Sequence, residues 1–110
     1  MPYSGSAIVS FIETKLFSRL VGNYLSADEY AALQNALAEN PERGAVVRGS
    51  GGVRKLRWAG FGRGKRGGVR VIYYARTREG MIWMLTIYAK NEVRTIPAHV
   101  LRKIKEEIDV

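Results

Sequence analysis

Val69-Arg-Val-Ile-Tyr-Tyr-Ala-Arg76, followed by Thr77-Arg-Glu-Gly80 and then Met81-Ile-Trp-Met-Leu-Thr-Ile-Tyr-Ala89, decides the fold. Two runs rich in β-branched and aromatic residues, separated by a short polar link ending in glycine, have the pattern of a β-hairpin with a tight turn. Neither run alternates cleanly between apolar and polar positions. Strands that are apolar on both faces belong in the middle of a sheet with cover on each side.

Working outward, Val53-Arg-Lys-Leu-Arg-Trp58 alternates and reads as the strand before the hairpin. It sits inside a segment, Gly44 to Gly68, holding nine of the chain's twelve glycines, so its flanks read as loops. Further upstream, Ser26 stands three residues before Glu29. That is a capping box, in which each side chain satisfies a free backbone amide of the other residue. Tyr30, Leu33, Ala36 and Leu37 continue as one face of a helix ended by Asn40-Pro41. Apolar residues at 12, 16, 17, 20 and 21 predict an earlier helix stopped by Gly22-Asn23, and Ala7-Ile-Val-Ser-Phe11 predicts a strand before it. Downstream, Pro97 suits the first turn of a last helix, with Thr95 or Ile96 near its cap and Val100, Leu101, Ile104 and Ile108 as the buried stripe.

The resulting order, β-α-α-β-β-β-α without internal repeats, predicts a single α+β domain over residues 1–110. Its expected form is an antiparallel sheet with two N-terminal helices on one face, a C-terminal helix, and the basic loop segment at the open side.

The 110 residues contain no cysteine, which excludes disulfides and thiolate metal sites. The opening Met1-Pro-Tyr-Ser-Gly-Ser6 has no basic stretch, and every apolar run falls far short of the ~20 residues that span a bilayer. The expectation is a soluble, cytoplasmic protein with no membrane contact. A net charge of +8 points to a polyanionic partner, and its distribution sharpens the point. Residues 1–42 sum to −3, 43–78 carry eleven basic side chains and no acid, and 79–110 carry five of each sign. Cations placed for solubility would be interleaved with acids; this segregation has the form of a phosphate-backbone footprint.

Arg54-Lys-Leu-Arg-Trp58, Gly62-Arg-Gly-Lys-Arg-Gly-Gly68, Val69-Arg-Val-Ile-Tyr-Tyr74 and Leu85-Thr-Ile-Tyr-Ala-Lys-Asn-Glu92 together resemble the RelE superfamily of toxins, and within it the HigB-like branch. The resemblance extends over essentially the whole chain. It implies a RelE-like fold and an endoribonuclease (mRNA interferase) of a type II toxin–antitoxin system, which cleaves messenger RNA, usually in the ribosomal A site, and so inhibits translation. It implies no metal and no cofactor: a ribose 2′-hydroxyl attacks the adjacent phosphodiester under side-chain acid–base chemistry and positive charge. It also implies a cognate antitoxin, commonly a helix-turn-helix protein, through which alone the toxin reaches operator DNA.

In-line attack builds negative charge on the non-bridging oxygens and moves two protons. Alternation places Val53, Lys55 and Arg57 on one face of their strand and Arg54, Leu56 and Trp58 on the other. With Leu56 and Trp58 toward the core, Lys55 and Arg57 face substrate, matching the basic pair the family carries there; the plainer reading is a solvated cationic face. Arg70 matches the family's phosphate-stabilising arginine and would clamp the scissile phosphate. Lys90 stands where the family has a basic site residue, though many relatives place an arginine one or two positions later. Arg54, Arg63, Lys65 and Arg66 are candidate RNA-binding cations. The glycine-rich loop is neither a dinucleotide fingerprint, since a strand and not a helix follows it, nor a phosphate-binding P-loop, since Lys65 precedes Arg66.

The general base stays open. The family's tyrosine near the last helix has no counterpart in Arg94-Thr-Ile-Pro-Ala-His99. His99 has a suitable ordinary pKa but reads better as a surface histidine. Glu92 reads better as an ion-pair partner of Lys90 or Arg94, and a lysine made less basic by cationic neighbours is a third choice. Tyr73, Tyr74 and Tyr88 stack on bases or fill the sheet, with filling the simpler reading. The rival functions are a non-catalytic RNA- or ribosome-binding module and, more remotely, a DNA-binding repressor, disfavoured because neither early helix has a basic face. The nuclease reading requires cations from neighbouring strands to converge on one pocket.

Overall fold

The computed structural model describes residues 9–59, 68–92 and 96–108. In chain order these form β1 (Ser10–Glu13), α1 (Lys15–Leu20), α2 (Ala27–Glu39), β2 (Ala45–Val46), β3 (Arg54–Trp58), β4 (Val69–Arg76), β5 (Met81–Ala89) and α3 (Ala98–Ile108). The five strands make one sheet in the order β1-β5-β4-β3-β2. It is antiparallel from β2 through β5, and β1 joins β5 in parallel. The α+β class and the central hairpin are as the sequence predicts. The hairpin turns through a short 3-10 segment closed by Gly80, whose φ of 65° suits the residue without a side chain.

The start of the chain differs from expectation. β1 runs through Glu13, so the helix expected over 12–21 begins only at Lys15 and ends at Leu20 in a 3-10 turn. Thr14 explains the shift. Its hydroxyl accepts the amide of Phe17, capping α1, and donates to the carbonyl of Leu85 on β5. Leu85 is the extra residue of a bulge: Tyr73 pairs with Met84 and Ile72 with Thr86. A helical stripe carries no information about a partner 71 residues away. α2 starts as read, with the Ser26–Glu29 capping box complete in both directions. β2 is a further correction, a two-residue strand where a loop was expected.

Both faces of the sheet are covered. α1 and α2 bury Phe17, Leu33 and Leu37 against Leu56, Val71, Tyr73 and Met84. Over the other face, α3 seats Leu101 and Ile104 on Val53, Ile72 and Leu85, so the side expected to be open is open only in part. Val100 is 37% exposed and does not belong to the buried stripe. It lies about 100° round the helix from Leu101, the residue α3 buries most deeply.

Tyr73 fixes the approach from α2 to the sheet. Its hydroxyl donates to the carbonyl of Pro41 at 2.7 Å and accepts the amide of Gly44 at 2.8 Å. A Cβ on Gly44 would stand 2.9 Å from the Tyr73 ring, so only glycine lets the chain pass here.

Candidate nucleic-acid interface

Alternation along β3 works as expected. Leu56 and Trp58 pack on the α1–α2 side, while Val53 packs under α3, so Lys55 and Arg57 share the α3 face. On β4, Ile72 and Tyr74 belong to the α3-side cluster, which puts Arg70 on that same face. The register completes the arrangement. Arg57 is paired with Arg70, and Arg70 with Tyr88, so a single transverse row crosses three strands. Directly opposed residues keep their Cβ atoms about 5 Å apart, and like charges in such positions repel. An anion bridging the two guanidiniums relieves that repulsion and gains charge-assisted hydrogen bonds.

Burial is graded along the row. Arg57 is exposed, Arg70 half-buried, and Tyr88 only 6% exposed against the α3-side cluster. Burial pushes the Tyr88 phenol above its ordinary pKa, and the nearby charge of Arg70 partly opposes the rise. Its proton therefore stays on at neutral pH, poised beside a cation that favours the phenolate.

Lys55 stands one row further along, opposite Ile72. Lys90 is exposed just past the end of β5, at the end of the sheet nearest the row. At that end Gly68 has a φ of 57°, and a Cβ there would come within 2.7 Å of the Trp58 carbonyl, so the two strand ends close tightly. Arg63, Lys65 and Arg66 lie outside the described residues; the described ends of their segment, Ala59 and Gly68, adjoin the row.

Arg54 does not join this group. It alternates to the opposite face, and its guanidinium donates to the carbonyls of Gly44 at 2.7 Å and Glu42 at 3.2 Å, fastening the link after α2 to the sheet edge. Arg54 is thus anchored on the face away from Arg57 and Arg70. Glu92, expected to pair with Lys90 or Arg94, stands exposed just past β5. Its Oε1 accepts the Tyr24 hydroxyl and the Ala89 amide, and Arg94 lies outside the described residues. His99 is exposed in the first turn of α3.

Tyr88 fills the α3-side core as the simpler reading has it, and the pairing register, counted through the bulge at Leu85, also sets it beside Arg70. Sequence reasoning passed over Arg43, whose guanidinium lies 5.6 Å from the ring centroid of Trp58. Among the described residues no group of three or more His, Cys, Asp or Glu side chains is placed to hold a metal ion. No described helix is long and apolar enough to cross a membrane.

No protein-family model matches the chain. Among solved structures it is similar to the E. coli toxin RelE, determined in the free state with two arginine-to-alanine substitutions. The TM-score is 0.59 at 12% identity, over 89% of this chain and 97% of that one. The fold is RelE-like.

Proposed function

We propose that this protein is the toxin of a type II toxin–antitoxin system, a HigB-like member of the RelE superfamily that cleaves messenger RNA on the ribosome and inhibits translation. The observation that carries the reading is the Arg57–Arg70–Tyr88 row on one sheet face, in a chain whose cationic excess is confined to residues 43–78. The RelE-like fold supports it.

In this reading Arg57 and Arg70 hold the non-bridging oxygens of the scissile phosphate, where negative charge grows as the 2′-oxygen attacks. Lys55 and Lys90 flank that position and contact neighbouring phosphates. Arg63, Lys65 and Arg66 add sequence-independent attraction to messenger or ribosomal RNA. The products are a cyclic or 3′-phosphate end and a free 5′-hydroxyl, formed without metal or cofactor. In the cytoplasm an antitoxin, a helix-turn-helix protein, covers the cationic face and brings the toxin to operator DNA.

Induced expression without the partner, followed by primer extension on translated messages, tests the reading. New 5′ ends in open reading frames and arrested growth are expected, both lost in Arg57→Ala and Arg70→Ala proteins that still fold. Unchanged messages under arrested growth would favour the second reading, a non-catalytic ribosome binder. That reading has one observation on its side: Glu92 is already committed to Tyr24 and the Ala89 amide.

A further inference from the structure

We infer that Tyr88 is a further catalytic residue of this site, delivering a proton to the 5′-oxygen as it leaves phosphorus; the inference rests on the nuclease reading above and deepens it.

Placement is the first ground. Tyr88 is directly across β4–β5 from Arg70, as Arg57 is across β3–β4, so the phenol shares a row with the two guanidiniums expected to hold the phosphate. Arginine does not give up its proton in a protein, so within the row only Tyr88 has a proton to deliver. Lys55 has one too, but it stands two residues along β3 from Arg57, a displacement of about 6.7 Å along the strand. The other acid–base candidates are less well placed. Glu92 is engaged by Tyr24 and the Ala89 amide, and His99 is exposed on α3.

Environment is the second ground. With 6% exposure, Tyr88 is nearly buried beside the exposed Arg57 and half-buried Arg70, and in such low-dielectric surroundings a hydrogen bond to a developing oxyanion is stronger than in water. Burial keeps the phenol protonated at neutral pH, which suits a donor and disqualifies a base. Once the proton leaves, the charge of Arg70 steadies the phenolate.

The 2′-oxygen forms its bond to phosphorus as the bond from phosphorus to the 5′-oxygen breaks. The 2′-hydroxyl proton passes to solvent, the Tyr88 proton passes to the 5′-oxygen, and the phenolate takes a proton back from water. The products are a 2′,3′-cyclic phosphate and a 5′-hydroxyl, with no net proton change.

A sulfur leaving group separates this role from a merely structural one, because a thiolate departs without a proton. Ribosomes are programmed with a short message containing either the ordinary linkage or a bridging 5′-sulfur at the cut site, and single-turnover cleavage is measured. Wild-type protein cuts both. Tyr88→Phe, which keeps the ring and its packing, is expected to slow cleavage of the oxygen linkage about 100-fold or more with little change in KM, and to cut the sulfur linkage at close to the wild-type rate. Trifluorotyrosine at position 88 is expected to move the alkaline limb of the pH–rate profile to lower pH. Equal losses on both linkages, or no loss on either, would overturn the role of Tyr88 while leaving the nuclease reading intact. Failure of the wild type to cut either linkage would overturn both.

Discussion

Arg57 and Arg70 are directly opposed in the antiparallel β3–β4 ladder and point to the same side of the sheet. Cross-strand neighbours of like charge weaken a sheet by a few tenths of a kcal/mol up to about 1 kcal/mol, and an anion between them offsets that cost.

Removing one member of the pair should therefore not harm the free protein. Arg57→Ala is expected to leave stability unchanged or raise it by about 0.5 kcal/mol in chloride buffer. Inorganic phosphate, at matched ionic strength, should raise the thermal midpoint of wild type more than that of Arg57→Ala. A loss above about 1 kcal/mol in the variant would mean that Arg57 is part of the fold and not of a site.

Arg54 is the contrasting case one residue from Lys55. Its guanidinium holds two backbone carbonyls on the opposite face, so Arg54→Ala is expected to cost about 1 kcal/mol by denaturant titration. RNA binding and cutting should persist at temperatures where the variant stays folded. A folded Arg54→Ala protein without RNA affinity would restore Arg54 to the interface.

Tyr73→Phe removes the acceptor of the buried Gly44 amide and the donor to the Pro41 carbonyl. Leaving a buried amide unsatisfied costs about 1–3 kcal/mol, so the unfolding free energy from denaturant titration should fall by that amount, through a lower midpoint at unchanged slope.

Alkaline pH should unfold the protein more readily than its arginine-rich composition alone suggests. Tyr30 is pushed up by burial and by the Glu13 carboxylate that accepts its hydroxyl; Tyr73 and Tyr88 are pushed up chiefly by burial. The unfolded chain releases these protons near pH ~10 while the folded chain retains them, so the native state binds more protons and loses stability as pH rises. The contribution is fully present below about pH 10 and disappears as pH climbs through the raised values. Tyrosinate absorbance should appear in step with unfolding for these three of the six tyrosines, and Tyr30→Phe should flatten the decline.

The fold was legible where local chemistry was decisive. The hairpin from Val69 to Ala89, the capping box at Ser26 and the alternation from Val53 to Trp58 each rest on neighbours in sequence, and each took the expected form. What escaped depends on distant partners. Thr14 caps a helix while bonded to Leu85, and β2 exists because Ala45 and Val46 find Lys55 and Arg54. The same holds for the site. Lys55, Arg57 and Arg70 came from alternation and resemblance, whereas the place of Tyr88 depends on a one-residue bulge that shifts the β4–β5 pairing between Ile72 and Tyr73. Alternation already sets Arg54 on the face opposite Lys55 and Arg57, but its partners, the carbonyls of Glu42 and Gly44, are not visible in the local pattern.

Cleavage of a defined message on purified ribosomes by wild-type, Arg70→Ala and Arg57→Ala/Arg70→Ala proteins tests the central claim most directly. The account predicts cuts with 5′-hydroxyl ends by wild type, slowed about 100- to 1,000-fold by loss of Arg70 and to background by loss of both, with each variant folded. Intact messages with wild type, or wild-type rates from the double variant, would contradict it.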